Sequence, residues 1–364
     1  MLPEYVKYYY DKLPEPKKKV YLQMYKGFRA HQKSVMITAD HSVISPDDLL
    51  YIFTCLYNDT PSFYFLEVNS THQAAVTSAG YVFSTDFQYT EAEIERYDKA
   101  LVRGLQVFRD RYIREDMTAF EKETMIHDYL VGTVIYDEES LKTKEEMIRH
   151  GEIFNVLGPL LSKKAVCWGI ACAFKLICDY CGVKCFVAIG KAVHSGTENS
   201  SHAWNIVRLD NENYHVDVTW DIRRKGDISF SRDYLNLNDS LIRLDHTWDD
   251  RIYPSCGSLE YNYHHRNRLY VRTLREIPEF VRKAVRSGDR YVTFKFANEM
   301  PSVPELVNEI SRGMEKARYR RKYQYAINMD THNVYIDLQK EEAQNQANGG
   351  RRRLWKKNIR FRLP

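Results

Sequence analysis

The sequence predicts an α+β fold. A helix that begins at a cysteine packs on an antiparallel sheet, with an α+β region before this core and a small β-α-β-β region after it. Three observations carry the prediction. From Cys167, the apolar residues Ile170, Phe174, Ile177 and Cys181 recur at three- and four-residue spacing, a helical period. Val183–Ile189 is a short, nearly all-apolar run, as expected of a strand buried on both faces. His202–Leu209 and Tyr214–Trp220 alternate around Asp210-Asn211-Glu212-Asn213 and read as a β-hairpin.

Along the chain, residues 1–120 show helical patterns at Lys17–His31, Pro46–Leu56 and Glu91–Tyr112, and short strand patterns at Phe63–Leu66 and Tyr81–Phe83. No residues with catalytic spacing lie there, so this region reads as a platform that packs on the core or restricts access to it. The 27 tyrosines of the whole chain suit packing and contact surfaces equally. Residues 121–268 form the core unit. From Leu269 a third unit begins: a strand at Tyr291–Phe296, a helix at Val303–Ala317 with Pro304 in its first turn, and a hairpin of Tyr323–Ile327 with Val334–Leu338. This β-α-β-β unit extends to residue 350, and a basic tail occupies 351–364.

The chemistry concentrates in the core unit. Gly158-Pro159 and Ser162-Lys163-Lys164 read as loop, and Gly182 stands where a helix end favours a left-handed glycine, so Cys167 falls in the first helical turn. Unpaired N–H groups at a helix start, with nearby lysines, favour thiolate over thiol. The same groups suit an oxyanion. Cys172, Cys178, Cys181 and Cys185 read instead as small buried hydrophobes.

In a hairpin, facing residues have numbers of constant sum, which is odd for any even-length turn. His202 and Asp217 also have an odd sum, so such a turn puts both on one face. A two-residue turn at Asp210-Asn211 sets Asp217 opposite Trp204, with His202 as its diagonal neighbour, about 7–8 Å away at the backbone. Aspartate is disfavoured in strands, yet Asp217 stands between Val216 and Val218. A buried charge there requires a partner, and an imidazolium would supply one. His215 shares that face and is the alternative base, but two residues from Asp217 on one strand it points alongside rather than towards it. Thiol, imidazole and carboxylate are the parts of a cysteine nucleophile, its base and the group that orients the base.

These residues resemble a known family. Cys167-x-Gly169-x-Ala171 on a helix, then His202-Ala203-Trp204-Asn205, then Tyr214-His215-Val216-Asp217-Val218-Thr219-Trp220-Asp221, look like the transglutaminase-like superfamily with its papain-like fold, in a bacterial-type transglutaminase-like domain. The likeness covers about Lys122–Tyr253 and includes Ile126-His127-Asp128-Tyr129 and Val134-Ile135-Tyr136-Asp137. It implies Cys167 as nucleophile, His202 as general base and acid, and Asp217 as orienter. There are departures: where bacterial relatives carry Gly, Gln and Tyr around the cysteine, this chain has Lys164-Ala165, Trp168 and Ile170. Where papain-type enzymes carry an oxyanion glutamine, it has Leu161. The resemblance therefore leaves the oxyanion donors and substrate pocket open. It also leaves open protease, deamidase or acyltransferase chemistry on amide bonds of proteins or peptides, and a catalytically inactive interaction module.

Composition narrows the rest. No apolar run approaches the roughly 20 residues that cross a membrane, and Met1–Lys7 lacks a signal-peptide core. Seven cysteines without a secretion signal point to reduced thiols and a cytoplasmic protein. Cys178-x-x-Cys181-x-x-x-Cys185 has thiolate spacing but no convincing fourth ligand, so no metal and no cofactor are expected. Arg351–Arg362 holds seven basic residues, and without them the net charge of +4 becomes −3. That tail suits an acidic partner; nothing in the chain resembles a nucleic-acid-binding fold.

Overall fold

The computed structural model describes residues 7–67, 72–192, 200–222, 232–288, 291–297, 299–329 and 332–338. The basic tail lies outside these residues. The first region contributes helices α1 (Glu15–Arg29), α2 (Pro46–Asp59) and α3 (Glu91–Tyr112), and a three-stranded antiparallel sheet of β1 (Ser34–Thr38), β2 (Gln73–Thr77) and β3 (Gly80–Ser84) in the order β1-β3-β2. Thr90 and Glu93 form a reciprocal capping box that starts α3. Phe63–Leu66, expected as a strand, is instead a 3-10 turn, Pro61–Phe63, ending in a single bridge from Leu66 to Phe87. Its aromatic run is spent on core packing, where Phe63, Tyr64 and Phe65 are all buried.

The core unit follows with α4 (Ala119–Thr133), the short parallel pair β4 (Ile135–Tyr136) and β5 (Lys164–Ala165), and then α5 (Cys167–Cys181). Strands β6 (Lys184–Ala192), β7 (Ser200–Leu209), β8 (Glu212–Val216) and β9 (His246–Thr247) form an antiparallel sheet in the order β8-β7-β6-β9. The two-residue turn falls at Asp210 and Asn211, both left-handed at φ 44° and 70°, the backbone that matches strand twist. Glu212 and Asn213, expected as turn, pair as strand.

Helix α5 is buried on nearly every side rather than along one stripe, from Gly169 to Cys178 without a break. Even Lys175 is fully buried, its Nζ donating to Asp179 Oδ2 at 2.8 Å and to the Cys185 carbonyl at 3.2 Å. Fully burying one large apolar side chain contributes about 1.5–3 kcal/mol, and Ile170, Phe174, Leu176 and Ile177 are all fully buried. The first region supplies much of that cover. One apolar core runs from Tyr9 to Cys256, so the platform and the core unit share it. Tyr9 donates its hydroxyl to the Val187 carbonyl at 2.8 Å, and Tyr8 stacks on Phe186 with centroids 3.8 Å apart.

A second, separate core spans Val271–Leu338. Here β10 (Tyr270–Val271), α6 (Ile277–Ser287), β11 (Tyr291–Phe296), α7 (Val303–Ala317), β12 (Tyr323–Asn328) and β13 (Asn333–Leu338) give a four-stranded sheet in the order β10-β11-β13-β12. The β-α-β-β unit is thus enlarged by β10, which pairs parallel with β11, and by α6. This unit also grips the core unit. Asp233 Oδ1 accepts from the Asn333 side-chain amide and, at 2.9 Å, from the Tyr335 hydroxyl. Among the described residues no helix is long and apolar enough to cross a membrane.

Candidate active site

Val166 is extended and α5 begins at Cys167, so the thiol stands in the first turn; Gly182, at φ 76°, closes the other end. Gly169 has a packing reason: a Cβ there would lie 2.3 Å from the Ile153 carbonyl. Of the seven cysteines, Cys167 alone is partly exposed; the other six are buried. Burial raises the thiols of Cys172, Cys181 and Cys256, keeping them protonated.

The structure brings Cys167, His202 and Asp217 together. His202 stands on β7 opposite Gly190, and its Nε2 donates to Asp217 Oδ2 at 2.6 Å. The other ring nitrogen is left for the Cys167 thiol, with which His202 is hydrogen-bonded. Burial alone would raise the thiol, but the hydrogen bond and charge of His202 and the Ala203 backbone N–H outweigh it, leaving Cys167 below its ordinary value. For His202, burial works against the charged ring, and the charge of Asp217 prevails, lifting it to about 10. Lys163, expected to help, turns to the Tyr129 hydroxyl and the Leu160 carbonyl, at 2.9 and 3.0 Å. Both shifts act in favour of a thiolate–imidazolium pair.

Asp217 is not a strand residue. β8 ends at Val216, and Asp217 caps a helical turn, Val218–Asp221, by accepting the Trp220 N–H on Oδ1 at 3.2 Å. Its own N–H donates to the Tyr234 carbonyl at 3.0 Å. Burial would raise its carboxyl, but the charge and hydrogen bond of His202 and the bond from His246 hold it far below the usual range. His215 points away from the thiol. It accepts from Trp204 Nε1 at 3.0 Å and donates from Nε2 to Asp239 at 2.9 Å.

Several residues escaped the sequence reasoning. Asn205 ties β7 to α5 by donating to the Ala171 carbonyl at 3.0 Å. Asp221, the last residue of the third motif, accepts from His127 Nε2 at 2.9 Å and from the Asp233 and Tyr234 N–H groups at 2.9 and 3.1 Å. It thereby fixes the segment that holds the Asp217 backbone. His246 donates from Nε2 to Asp217 Oδ2 at 3.0 Å. Gly190 admits β9 to this position, since a Cβ there would lie 2.2 Å from the Thr247 carbonyl. Asp221, one residue beyond the predicted strand end at Trp220, could have signalled a backbone acceptor; nothing local marks His246.

Two groups among the described residues bring metal-ligand atoms within 4.8 Å of one another: His202, Asp217 and His246, and His215, Asp239 and Cys256. In both, the histidine Nε2 atoms already donate to a carboxylate. In the second group Trp204 donates to His215 Nδ1, which places the ring proton on Nε2, where a cation would need a lone pair.

Residues 107–218 match the model of the transglutaminase-like superfamily. The matched segment is a transglutaminase-like domain. The human kyphoscoliosis peptidase is 23% identical over 202 residues, a match that covers 50% of this chain and 30% of the relative's length. A solved TGase structure is 14% identical with a TM-score of 0.29, covering 44% of this chain and 46% of that one. In this transglutaminase-like domain, the segment that matches the family includes Cys167, His202 and Asp217, whereas His246 falls beyond its end.

Proposed function

We propose that this protein is a cysteine hydrolase acting on amide bonds of proteins or peptides, with Cys167 as nucleophile, His202 as base and acid, and Asp217 as orienter. The observation that carries the reading is the partly exposed thiol at a helix start, hydrogen-bonded to a histidine that is itself bonded to a buried aspartate. The thiolate attacks the carbonyl carbon, and the carbonyl electron pair moves to oxygen beside the unpaired N–H groups at the start of α5. The oxyanion collapses, the C–N bond breaks, and His202 gives its proton to the leaving amine, which leaves a thioester on Cys167. Water, deprotonated by His202, then releases the acid and regenerates the thiol. An amine in place of water would give acyl transfer through the same thioester. The kyphoscoliosis peptidase relative favours hydrolysis.

Trp168 lies parallel to Tyr57 with centroids 5.8 Å apart, so the first region builds a wall next to the nucleophile. A cavity of about 600 Å³ opens beside β4 and β5, lined by Asp137, Ser140, Glu146, Glu152 and Lys164 among others. Its charged lining suits a polar peptide segment. In the same reading the protein works in the cytoplasm, and residues 351–364 meet an acidic partner.

The test is to incubate wild type and Cys167→Ala with a proteome and with a dansyl amine, scoring cleavage, ammonia release and amine incorporation. Cleavage by wild type alone is the expected result. Equal products from both proteins, with Cys167 labelling as slowly as the buried thiols, would overturn the proposal and favour an interaction module.

A further inference from the structure

His246 is fully buried, yet both its ring nitrogens face carboxylates. Nε2 lies 3.0 Å from Asp217 Oδ2, and Nδ1 lies 2.5 Å from Asp245 Oδ1. A neutral imidazole has one donor, so one nitrogen would turn a lone pair towards a carboxylate oxygen. Only the doubly protonated ring satisfies both neighbours. The rings of Trp220 and Trp204 lie 4.7 and 5.2 Å from the His246 ring, an enclosure that also favours a cation. The charged groups facing it are Asp217 and Asp245, with His202 at 5.3 Å between centroids; His215 feels its charge, and Lys295 acts on Asp245.

His246 and His202 donate to the same oxygen of Asp217, at 3.0 and 2.6 Å. We propose that His246 is a positioning residue of this site, a permanent imidazolium that locks the Asp217 carboxylate and offsets part of its charge. The proposal rests on the reading of Cys167 as nucleophile. The reason for such a residue lies in the proton transfers. An aspartate 2.6 Å from Nε2 raises the basicity of the whole ring, and so its hold on the proton at the other nitrogen, the one that must pass to the leaving amine. A second cation on the same oxygen loosens it. The same positive charge also favours the Cys167 thiolate. No proton leaves His246 in this scheme; it acts through Asp217.

The test uses the full chain and the pH dependence of Cys167 labelling by iodoacetamide. His246→Gln keeps a donor towards Asp217 but removes the charge, so the low-pH limb should move up by about one pH unit. The double variant His246→Gln/Asp245→Asn removes both charges and should bring the limb back towards wild type. A residue that only fills space would leave the limb where it is, and the second substitution would add damage rather than reverse it. An unmoved limb in His246→Gln, with the wild-type limb intact, overturns the role of His246 alone. A wild-type protein with no limb below the ordinary thiol range overturns the nucleophile reading beneath it. Should the variants at 246 fail to fold, [15N]histidine spectra of His202→Ala at pH 7.5 decide. Two doubly protonated rings are expected, His246 and His127, which likewise lies between two aspartates, at 3.1 Å from Asp128 and 2.9 Å from Asp221. A His246 ring that carries a proton on one nitrogen only would refute the permanent imidazolium.

Discussion

Replacing Asp217 with asparagine keeps the shape of the side chain and removes its charge, which isolates what the charge contributes. Burial disfavours the His202 cation, yet the ring is lifted from 6.5 to about 10, chiefly by Asp217. That rise corresponds to about 4–5 kcal/mol in favour of the charged ring. A Coulomb estimate agrees: unit charges about 4 Å apart at an effective dielectric of about 20 interact by about 4 kcal/mol. In Asp217→Asn this term is lost and desolvation is left unopposed, so the ring falls to 6.5 or below. The sign follows directly. In wild type the imidazolium persists until pH rises through about 10, and its hydrogen bond and charge help hold the Cys167 thiol below its ordinary value. In the variant the imidazole is neutral at pH 7, and the thiol, without its cation, returns towards about 8.5 or higher. The assay is the iodoacetamide labelling rate of Cys167 from pH 4 to 10, read by peptide mass spectrometry, with circular dichroism to verify folding. Wild type should plateau well below pH 8, whereas Asp217→Asn should rise only near or above the ordinary thiol value and label about 10²-fold more slowly at pH 6. A folded Asp217→Asn protein that labels at pH 6 within about threefold of wild type would refute the reasoning.

The remaining predictions address the nucleophile, the alternative base, a buried acid and the third unit. Cys167→Ser should stay folded but lose the fast labelling phase, leaving six slow thiols, and turnover by this variant at a normal rate would remove Cys167 from the mechanism. His215→Phe leaves the buried Trp204 N–H without its acceptor and should cost about 1–3 kcal/mol in thermal or urea unfolding, while the Cys167 plateau persists; a lost plateau would make His215 part of the relay. Burial lifts Glu123 to about 8, so its stabilising contribution is complete below pH 4.5 and is lost as pH rises through 8. Glu123 Oε2 accepts from the Asn236 amide at 2.9 Å, while Glu123 Oε1 and Asn236 Oδ1 lack partners, so Glu123→Gln, able to donate to that oxygen, should stabilise by about 1–3 kcal/mol at pH 8. Equal melting temperatures at pH 8 would contradict this. Truncation after residue 268 removes the Asn333 and Tyr335 bonds to Asp233 and should slow Cys167 labelling; an unchanged rate in a folded truncated protein would show that the third unit does not support the site.

Much was legible from local pattern. The helix from Cys167 to Cys181, with Gly182 just past its end, follows from periodicity and from a left-handed position that glycine fills without strain. The register of the hairpin follows from the two-residue period of strands and an even turn, and the observed pairing matches it as far as Asn205–Val216, one residue short of Asp217. Local pattern failed where long-range contacts decide. Phe63–Leu66 has strand composition, but its aromatic rings are used against Phe28, Tyr89 and Phe87 rather than in a sheet. Val218–Trp220 has strand composition too, but the Asp217 carboxylate caps a helical turn and ends the strand.

What the sequence determined by itself is therefore the thiol's helix, the hairpin and the order of the three chemical groups, because each depends on residues within a few positions of one another. Tertiary structure decided which charges surround them. Lys163, only four residues from Cys167, turns away to Tyr129, whereas His246, Asp245 and Tyr234 converge on Asp217 from a strand and a segment that no spacing rule connects to it. The strength of a charge interaction depends on distance and burial, and in a folded chain both are set by packing rather than by separation along the sequence.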